Sequence, residues 1–280
     1  MDGTVEDFNR AAPDEAAATL RPCNASSRWA VDLVAARPYR DIAALVAASD
    51  AAVARLDWAD VEEALAGHPR IGERAEGASR EATWSRGEQS KVGVAPDAVR
   101  AALAEGNAAY EQRFGHIYLV NAAGRPADEL LAVLRERLDH DAATERDAVR
   151  RELAAISRNR LARLFGARLS VSTHVLDAVL GAPAAGVRVS LERQDGAGWA
   201  ELGTADTDAD GRIRSWGETA CDAAPGIHRL RFATGKWFAG RGRDTFYPEV
   251  AITFRVADPL QHHHVPLLLS PFAYSTYRGS

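Results

Sequence analysis

The sequence is poor in cysteine, which argues against disulfide bonding. Its 280 residues include two cysteines, Cys23 and Cys221, and these lie on opposite sides of the domain boundary that the hydrophobic pattern indicates below. Small secreted proteins that depend on disulfides carry several cysteines within a short chain instead. We therefore expect no disulfide framework, and a reducing cytoplasm is the expected compartment.

Long apolar runs and an excess of basic charge are also missing. A transmembrane helix needs about 20 consecutive apolar residues, and no stretch of the sequence approaches that length. The first residues, MDGTVEDFNR, are acidic, whereas a signal peptide starts with basic residues and continues with apolar ones. The formal net charge of −5 gives no electrostatic reason to expect nucleic acid or an anionic membrane as a partner.

What the sequence does have is a change of hydrophobic period within residues 152–177. The first part of this segment has apolar residues near helical spacing, and the second part alternates apolar with polar residues, as a half-buried strand does. The two sets are Leu153, Ile156, Leu161 and Leu164, and then Leu169, Val171, Thr173 and Val175. Gly166 between them is typical of a helix end. We place a boundary there, between domains of residues 1–166 and 167–280, each long enough for its own core.

The two sides of this boundary differ in predicted fold class. Before it the periodicity is helical, most clearly in residues 40–55, 97–114, 127–138 and 144–164, which predicts an all-α helical bundle. After it the helix signal disappears. Short alternating segments at 187–191, 227–232 and 250–256 are separated by turn residues, which indicates a β-sandwich.

Three segments of the helical half carry candidate site residues. They are His68 in the constrained turn GHPRIG, Ser85 with Glu88 and Gln89 in residues 84–90, and Arg160 on the last predicted helix. Each also has a plain structural interpretation. The spacing of Ser85 and Glu88 is that of a capping box, and His68 and Arg160 are residue types that often lie at protein surfaces.

Taken together and in order, these segments resemble the 2-oxo-4-hydroxy-4-carboxy-5-ureidoimidazoline (OHCU) decarboxylases of urate breakdown. The segment CNASSRW at 23–29 and the pattern F-G-x-x-[FY] at 114–118 also fit that family, so the resemblance spans most of residues 5–165. The family is all-helical and uses no cofactor, and the resemblance implies the same here.

The resemblance also implies roles for the matching residues. His68 would be the central acid or base, working near its pKa, and Glu88 belongs with it in the catalytic group. The residues implied in substrate binding are Pro69, Ser85, Gln89, Ile117 and Arg160. Arg160 would grip an anionic group with its guanidinium fork. The imine and carbonyl of the substrate can delocalise electrons as carbon dioxide leaves, so the protein mainly orients the substrate and controls protons.

The candidate site residues of the β half include several histidines. His174 lies on the first predicted strand, on the opposite face from Thr173, and residues 261–271 predict another strand. Alternation puts His262 and His264 on one face of that strand and His263 on the other.

The acidic and histidine clusters of this half do not predict a metal site. An H-x-H pair is a common zinc motif, but no clear acidic or cysteine ligand accompanies the histidines. The run Asp206-x-Asp208-x-Asp210-Gly211 has Gly217 where a calcium loop needs glutamate, and its flanks are strands. We predict a turn there and no metal ligand in the chain.

Four segments of the β half together resemble 5-hydroxyisourate hydrolase, the enzyme branch of the transthyretin family. They are STHVLD at 172–177, DGR at 210–212, HVPLLLSP at 264–271 and the terminal YRGS at 277–280. The resemblance covers residues 168–280 and implies a transthyretin-like β-sandwich. The residues it assigns to the site are His174, Arg212, His264 and Ser280 as catalytic groups, with Tyr277, Arg278 and Gly279 binding substrate. Either histidine is a general-base candidate, and Arg212 would stabilise developing negative charge.

The two resemblances imply consecutive steps, from 5-hydroxyisourate to OHCU and then by decarboxylation to (S)-allantoin, as in bifunctional allantoin synthases. Small-molecule substrates and a homo-oligomer are implied, a tetramer through the β domain with dimer contacts through the α domain. Two alternatives stay open. One is a transthyretin-like carrier joined to a helical oligomerisation domain, which depends on whether His174, Arg212 and His264 converge in a cleft. The other is a chain in which only the hydrolase half is active.

Overall fold

The computed structural model describes residues 4–73, 79–167, 169–196, 198–216, 225–258 and 260–279, without the side chains of residues 90 and 91. The chain divides into two compact units, Met1–Gly166 and Ala167–Ser280. Helices form the first unit and β-sheets the second, which confirms the predicted fold class. The expectations placed on Arg168, Gly217, Cys221 and Ser280 fall outside the described residues.

The first unit is a set of α-helices. They are α1 (Val5–Arg10), α2 (Pro13–Leu20), α3 (Ser27–Ala35), α4 (Ile42–Arg55), α5 (Trp58–Ala66), α6 (Arg80–Glu88), α7 (Ser90–Gly93), α8 (Asp97–Phe114), α9 (Ala127–Leu138) and α10 (Ala142–Leu164). The predicted segments 97–114 and 127–138 coincide with α8 and α9. Helix α10 starts after Asp141, whose side chain accepts the Thr144 N–H as an N-cap. Gly166, with a φ of 61°, follows its C-terminal end in the left-handed conformation that glycine favours.

An internal ion pair ties α9 to α10. Arg137 and Glu145 are 3% and 0% exposed, and Arg137 Nε lies 2.9 Å from Glu145 Oε1. The hydroxyl of Tyr110 on α8 also donates to Glu145. Such a pair is tolerated inside a protein because each charge is matched and hydrogen-bonded. Arg137 Nη1 then donates to the carbonyl of Leu119 at 2.7 Å, which fixes the segment between α8 and α9.

The second unit contains two sheets. The strands are β1 (Val171–Asp177), β2 (Ala182–Pro183), β3 (Arg188–Asp195), β4 (Gly198–Asp206), β5 (Arg212–Ile213), β6 (Gly226–Phe232), β7 (Val250–Val256), β8 (His263–His264), β9 (Leu267–Ser270) and β10 (Ala273–Thr276). One sheet has the order β10-β9-β1-β2, with β5 and β8 also paired to β1, and the other has the order β4-β3-β6-β7. Apolar residues from both sheets form one buried cluster, which includes Val175, Leu191, Leu230 and Leu267.

Two features of this unit differ from the prediction. The expected single strand at 261–271 is broken into β8 and β9, because Pro266 has no N–H for a sheet hydrogen bond. A short helix, α11 (Thr234–Ala239), lies where no helix was expected, and it buries Trp237 and Phe238 against the sheets. Across the described residues, none of the helices combines the length and apolar character needed to cross a membrane.

Candidate active sites

His68 lies in a fixed turn after α5. The backbone N–H of His68 donates to the carbonyl of Leu65 at 2.9 Å. The preceding Gly67 packs so closely that a Cβ there would lie 2.9 Å from the Cβ of Ala25. The imidazole is half-buried and forms part of a cavity wall. The Gly- and Pro-containing turn thus presents the ring to a cavity.

Arg160 binds two of the other polar candidates, Glu88 and Ser85, with its guanidinium. Its Nε and Nη2 donate to the two carboxylate oxygens of Glu88 at 3.0 and 2.8 Å, the two-bond geometry that arginine and carboxylate favour. Nη2 also donates to Ser85 Oγ at 3.0 Å, and Nη1 donates to the carbonyl of Pro22 at 3.3 Å. Arg160 is 3% exposed. It therefore orients Glu88 and Ser85, and its grip on a substrate anion remains a prediction.

Ser85 does not cap a helix, so the capping-box interpretation is wrong. Helix α6 begins at Arg80, and its N-cap is Ser79, whose side chain accepts the N–H of Ala82. Ser85 lies inside the helix and is buried. Positions three apart share a helix face, so Ser85 and Glu88 both point toward Arg160.

Gln89 holds the turn that follows His68. Its Oε1 accepts the N–H of Gly72 at 2.9 Å, and its Nε2 donates to the carbonyl of Arg70 at 3.3 Å. Asn107 on α8 donates to the carbonyl of Ile71 at 2.7 Å. Both ends of the Gln89 amide are thus engaged with backbone, which makes this side chain a positioning group as well as a candidate contact.

Two recesses of the helical unit share His68 and Arg160. The narrower one, ≈ 20 Å³, is lined by His68, Pro69, Ile71, Ser85, Glu88, Gln89, Tyr118, Leu119, Val120, Ala122, Ile156 and Arg160. It brings together all the predicted residues of this unit except Ile117, which is not in the lining. The wider recess, ≈ 430 Å³, is lined by Arg21, Ala25, Ser27, Glu63, Gly67, His68, Ser79, Glu81 and Arg160. Sequence reasoning missed Leu119, Val120 and Ala122 in this lining, which lie between α8 and α9.

The environment of His68 favours the neutral imidazole. Burial and the nearby Arg160 guanidinium lower the pKa of His68 to about 3, because both disfavour a second positive charge. The ring is still half-exposed on the cavity wall, where water weakens such effects. Even a partial shift keeps His68 neutral at physiological pH. The role of acid or base that the sequence suggests for His68 predicts a pKa near neutrality instead.

Three residues beside these candidates have structural roles. Arg70 pairs with Glu111 on α8, with Nη2 lying 2.9 Å from Oε2. Arg86 donates to Thr83 Oγ1 at 3.1 Å. The ring of His116 packs edge-on against Trp58, with the ring centroids 5.1 Å apart.

The β-unit candidates meet around β1. His174 and Arg212 are directly paired across β1 and β5, which places their side chains next to each other. Ser172 is paired in parallel with His264 on β8, and its Oγ lies 2.8 Å from His264 Nδ1. A recess of ≈ 330 Å³ is lined by Ser172, Thr173, Arg212, Arg214, His262 and His264. His174 borders Arg212 without lining the recess.

The turn before Arg212 sets its position. Asp208 Oδ1 accepts the N–H groups of Asp210 and Arg212 at 2.9 and 2.8 Å. A Cβ on Gly211 would lie 2.3 Å from the Val175 carbonyl oxygen, so this close approach to β1 requires glycine. The predicted turn is confirmed. Among the described residues, no group of three histidine, cysteine or acidic side chains is placed to hold a metal ion.

The histidines of this site are poised as neutral bases. Burial lowers the pKa of His264, and the charges of Arg212, His262 and His174 lower it further. Burial and Arg212 likewise lower the pKa of His174. His174 and Arg212 are neighbours across β1 and β5, and Arg212 and His264 line the same recess, so both histidine candidates lie near Arg212.

The C-terminal segment packs on His264. The N–H of Gly279 donates to the His264 carbonyl at 3.0 Å, and Arg278 Nη2 lies 3.4 Å from Gln261 Oε1. A Cβ on Gly279 would lie 2.3 Å from Cδ2 of the His264 ring. Tyr277 is exposed. Gly279 therefore allows the terminus to lie against a candidate catalytic ring, while its contact with substrate remains a prediction.

Gly279→Ala is expected to lower turnover at the β site on the order of 10²-fold, since displacing a catalytic group by about 1 Å has such an effect. The added methyl group must push the His264 ring or the terminus aside. Steady-state hydrolysis of 5-hydroxyisourate measures the loss. The matched control is Gly198→Ala, whose Cβ would meet its nearest neighbour at 3.7 Å. Equal activity of the two variants would contradict the packing argument.

Comparison with known families gives a match for each half of the chain. The family described as OHCU decarboxylase matches residues 9–162, and the HIUase/transthyretin family matches residues 171–279. The uric acid degradation bifunctional protein TTL of Arabidopsis thaliana is 31% identical over 92% of this chain and 96% of its own length. The 5-hydroxyisourate hydrolase of Salmonella typhi is 50% identical over 39% of this chain and 80% of its own.

The solved structures give the same result for the whole chain. A crystal structure of (S)-allantoin synthase matches with a TM-score of 0.68 and 25% identity, covering 99% of both chains. The likeness runs through both units in the same order. The chain therefore belongs to the family of bifunctional urate-degradation proteins, which join an OHCU decarboxylase domain to a 5-hydroxyisourate hydrolase domain of the transthyretin family.

Proposed function

We propose that the β unit hydrolyses 5-hydroxyisourate to OHCU and that the helical unit decarboxylates OHCU to (S)-allantoin. The observation that supports this most directly is the convergence of the candidate residues within each unit. His68, Ser85, Glu88 and Arg160 border one recess of the helical unit. Arg212 and His264 border one recess of the β unit.

In the β unit the proposed reaction is hydrolysis of a ring amide. A neutral His264 or His174 removes a proton from water, and the water oxygen attacks the ring carbonyl. Arg212 stabilises the negative charge that develops on that oxygen. The ring C–N bond then breaks as its nitrogen takes up one of the two protons of the attacking water. Two bases of lowered pKa beside one fixed cation suit this sequence of steps.

In the helical unit the proposed reaction needs orientation and proton control. The electron pair left by carbon dioxide is delocalised into the imine and carbonyl of the substrate, and protonation from one face sets the handedness of the product. A substrate carboxylate bound beside His68 would raise the pKa of the imidazole toward neutrality, so that the ring takes up a proton from water and returns it to the carbon that loses carbon dioxide. Glu88 and Ser85, which Arg160 holds, would hydrogen-bond the ureidoimidazoline.

We also propose that the protein is cytoplasmic and assembles as a homotetramer through the β unit, with dimer contacts through the helical unit. The exposed edge strand β10 supports assembly through the β unit. Tyr274, Phe272 and Tyr277 are 42%, 71% and 59% exposed there, and unpaired edges with apolar side chains favour pairing with another chain.

The test is to generate 5-hydroxyisourate from urate in situ and to follow the chirality of allantoin by circular dichroism. If both units are active, a single enantiomer of allantoin should form rapidly. Fast loss of 5-hydroxyisourate followed by slow, racemic allantoin would mean that only the hydrolase works. Acceleration of neither step would overturn the proposed function and favour a transthyretin-like carrier.

A further inference from the structure

Two serines and two histidines form a continuous hydrogen-bonded chain at the β site. Ser172 Oγ lies 2.8 Å from His264 Nδ1 and 2.8 Å from His262 Nε2. The other nitrogen of that second ring, His262 Nδ1, lies 2.7 Å from Ser170 Oγ. His264 is half-buried and Ser172 is buried, whereas His262 and Ser170 are exposed. Ser172, His264 and His262 lie along the recess wall, so the hydrogen-bonded chain leads from His264 to the exposed Ser170.

The chemistry of these groups allows two proton arrangements. A serine hydroxyl has one proton, so Ser172 donates to one ring and accepts from the other. In the first arrangement His264 carries its proton on Nδ1 and Nε2 is a free base. In the second, Ser172 donates to Nδ1 and the His264 proton is on Nε2. Moving one proton along each bond converts the first arrangement into the second.

We propose that Ser172, His262 and Ser170 form a proton relay that carries the proton taken up by His264 out of the hydrolase site. This inference rests on the proposed hydrolysis of 5-hydroxyisourate. Its product has a carboxylate and a ureido nitrogen. A ureido nitrogen is not basic, so of the two protons of the attacking water one stays on that nitrogen and one must leave the site in every turnover.

The steps balance. Nε2 of His264 takes a proton from water as the C–O bond forms. Its Nδ1 proton passes to Ser172 Oγ, and the Ser172 proton passes to His262 Nε2. The Nδ1 proton of His262 passes to Ser170, and a proton of Ser170 passes to the solvent. Rotation of the hydroxyl groups and return of the protons restore the first arrangement.

The charges around the recess favour outward transfer. Arg212 lines the recess and its charge lowers the pKa of His264, so a second proton on His264 is disfavoured. Ser170, the last group of the relay, is exposed to water, which accepts the released proton. The relay thus removes positive charge from His264. His262 and the serines are positioning residues in this scheme, because they act through His264.

The test uses the full-length chain with His262→Gln, since glutamine keeps hydrogen-bonding capacity but transfers no proton. At low buffer concentration kcat for hydrolysis is expected to fall by about 100-fold, the low end of the contribution of a positioned proton donor or acceptor, with KM unchanged. High concentrations of imidazole should restore kcat. Ser172→Ala should cause a similar loss, and the double variant should lose no more than either single variant, because both break one pathway.

The matched control is His263→Gln, since His263 points to the other face and its ring lies 6.3 Å from that of Phe254. It should keep normal kcat. Decarboxylation by the same molecules checks protein integrity. Normal kcat in His262→Gln, or a loss that imidazole does not restore, would overturn the relay. Absence of hydrolysis in the unmodified chain would overturn the proposed function itself, which is a different result.

Discussion

Replacing His68 with alanine is expected to lower decarboxylation of OHCU by roughly 10²- to 10⁴-fold, the contribution typical of a positioned acid or base. The ring lies where the two recesses of the helical unit meet, beside the Arg160 cluster. Hydrolysis in the β unit should stay unchanged. Appearance of optically active allantoin from enzymatically generated OHCU measures the loss, and disappearance of 5-hydroxyisourate provides the internal reference.

The control for this prediction is His116→Gln, because His116 packs on Trp58 and is not in the lining of either recess. It removes a histidine of the same unit that lines neither recess. Thermal unfolding of both variants shows whether the unit stays folded. Near-normal decarboxylation by folded His68→Ala would remove His68 from the mechanism.

The lowered pKa of His68 also predicts how kcat/KM for decarboxylation depends on pH. Because the pKa is lowered to about 3, the neutral form persists as pH falls from 8 toward 5. The kcat/KM for decarboxylation reports the free enzyme, so protonation of His68 should not reduce it within that range. A decline centred near pH 6.5 that moves to higher pH in Arg160→Gln would show that the ring titrates within this range.

The helices were predictable because their signal is local. Residues 127–138 read as an amphipathic helix and form α9 with the same bounds. Arg137 shows the limit of that reading, since it lies among the charges expected on the solvent face. It is 3% exposed and paired with Glu145, because a partner on the next helix compensates its burial. Periodicity cannot reveal such a partner.

The candidate sites were also predictable only in part. Family resemblance selected His68, Ser85, Glu88 and Arg160, and the structure brings them together around one recess. It did not indicate that Arg160 is held by Glu88, because that bond joins residues 72 positions apart. The bonds of Ser172 to two histidines also span about ninety positions. The polar partners of a site come from the fold and are not encoded in local spacing.

Arg212→Gln is expected to lower hydrolysis of 5-hydroxyisourate by roughly 10²- to 10³-fold, as loss of a group that stabilises an oxyanion does. It should also change the pH dependence. The Arg212 guanidinium contributes to the lowered pKa of both His174 and His264, after burial. Without that positive charge both pKa values rise, so the histidines become protonated at a higher pH. The acid limb of kcat/KM should therefore move to higher pH.

Arg214→Gln separates this effect from a general loss of charge. Arg214 lines the same recess, but its guanidinium points to Asp208, with Nη1 lying 3.5 Å from Oδ2. Its replacement removes one positive charge while leaving the pair of His174 and Arg212 in place, so the acid limb should stay where it is. If both variants shift the limb equally, the net charge of the recess sets the histidine pKa values. If Arg212→Gln slows hydrolysis without any shift, Arg212 acts on the developing oxyanion alone.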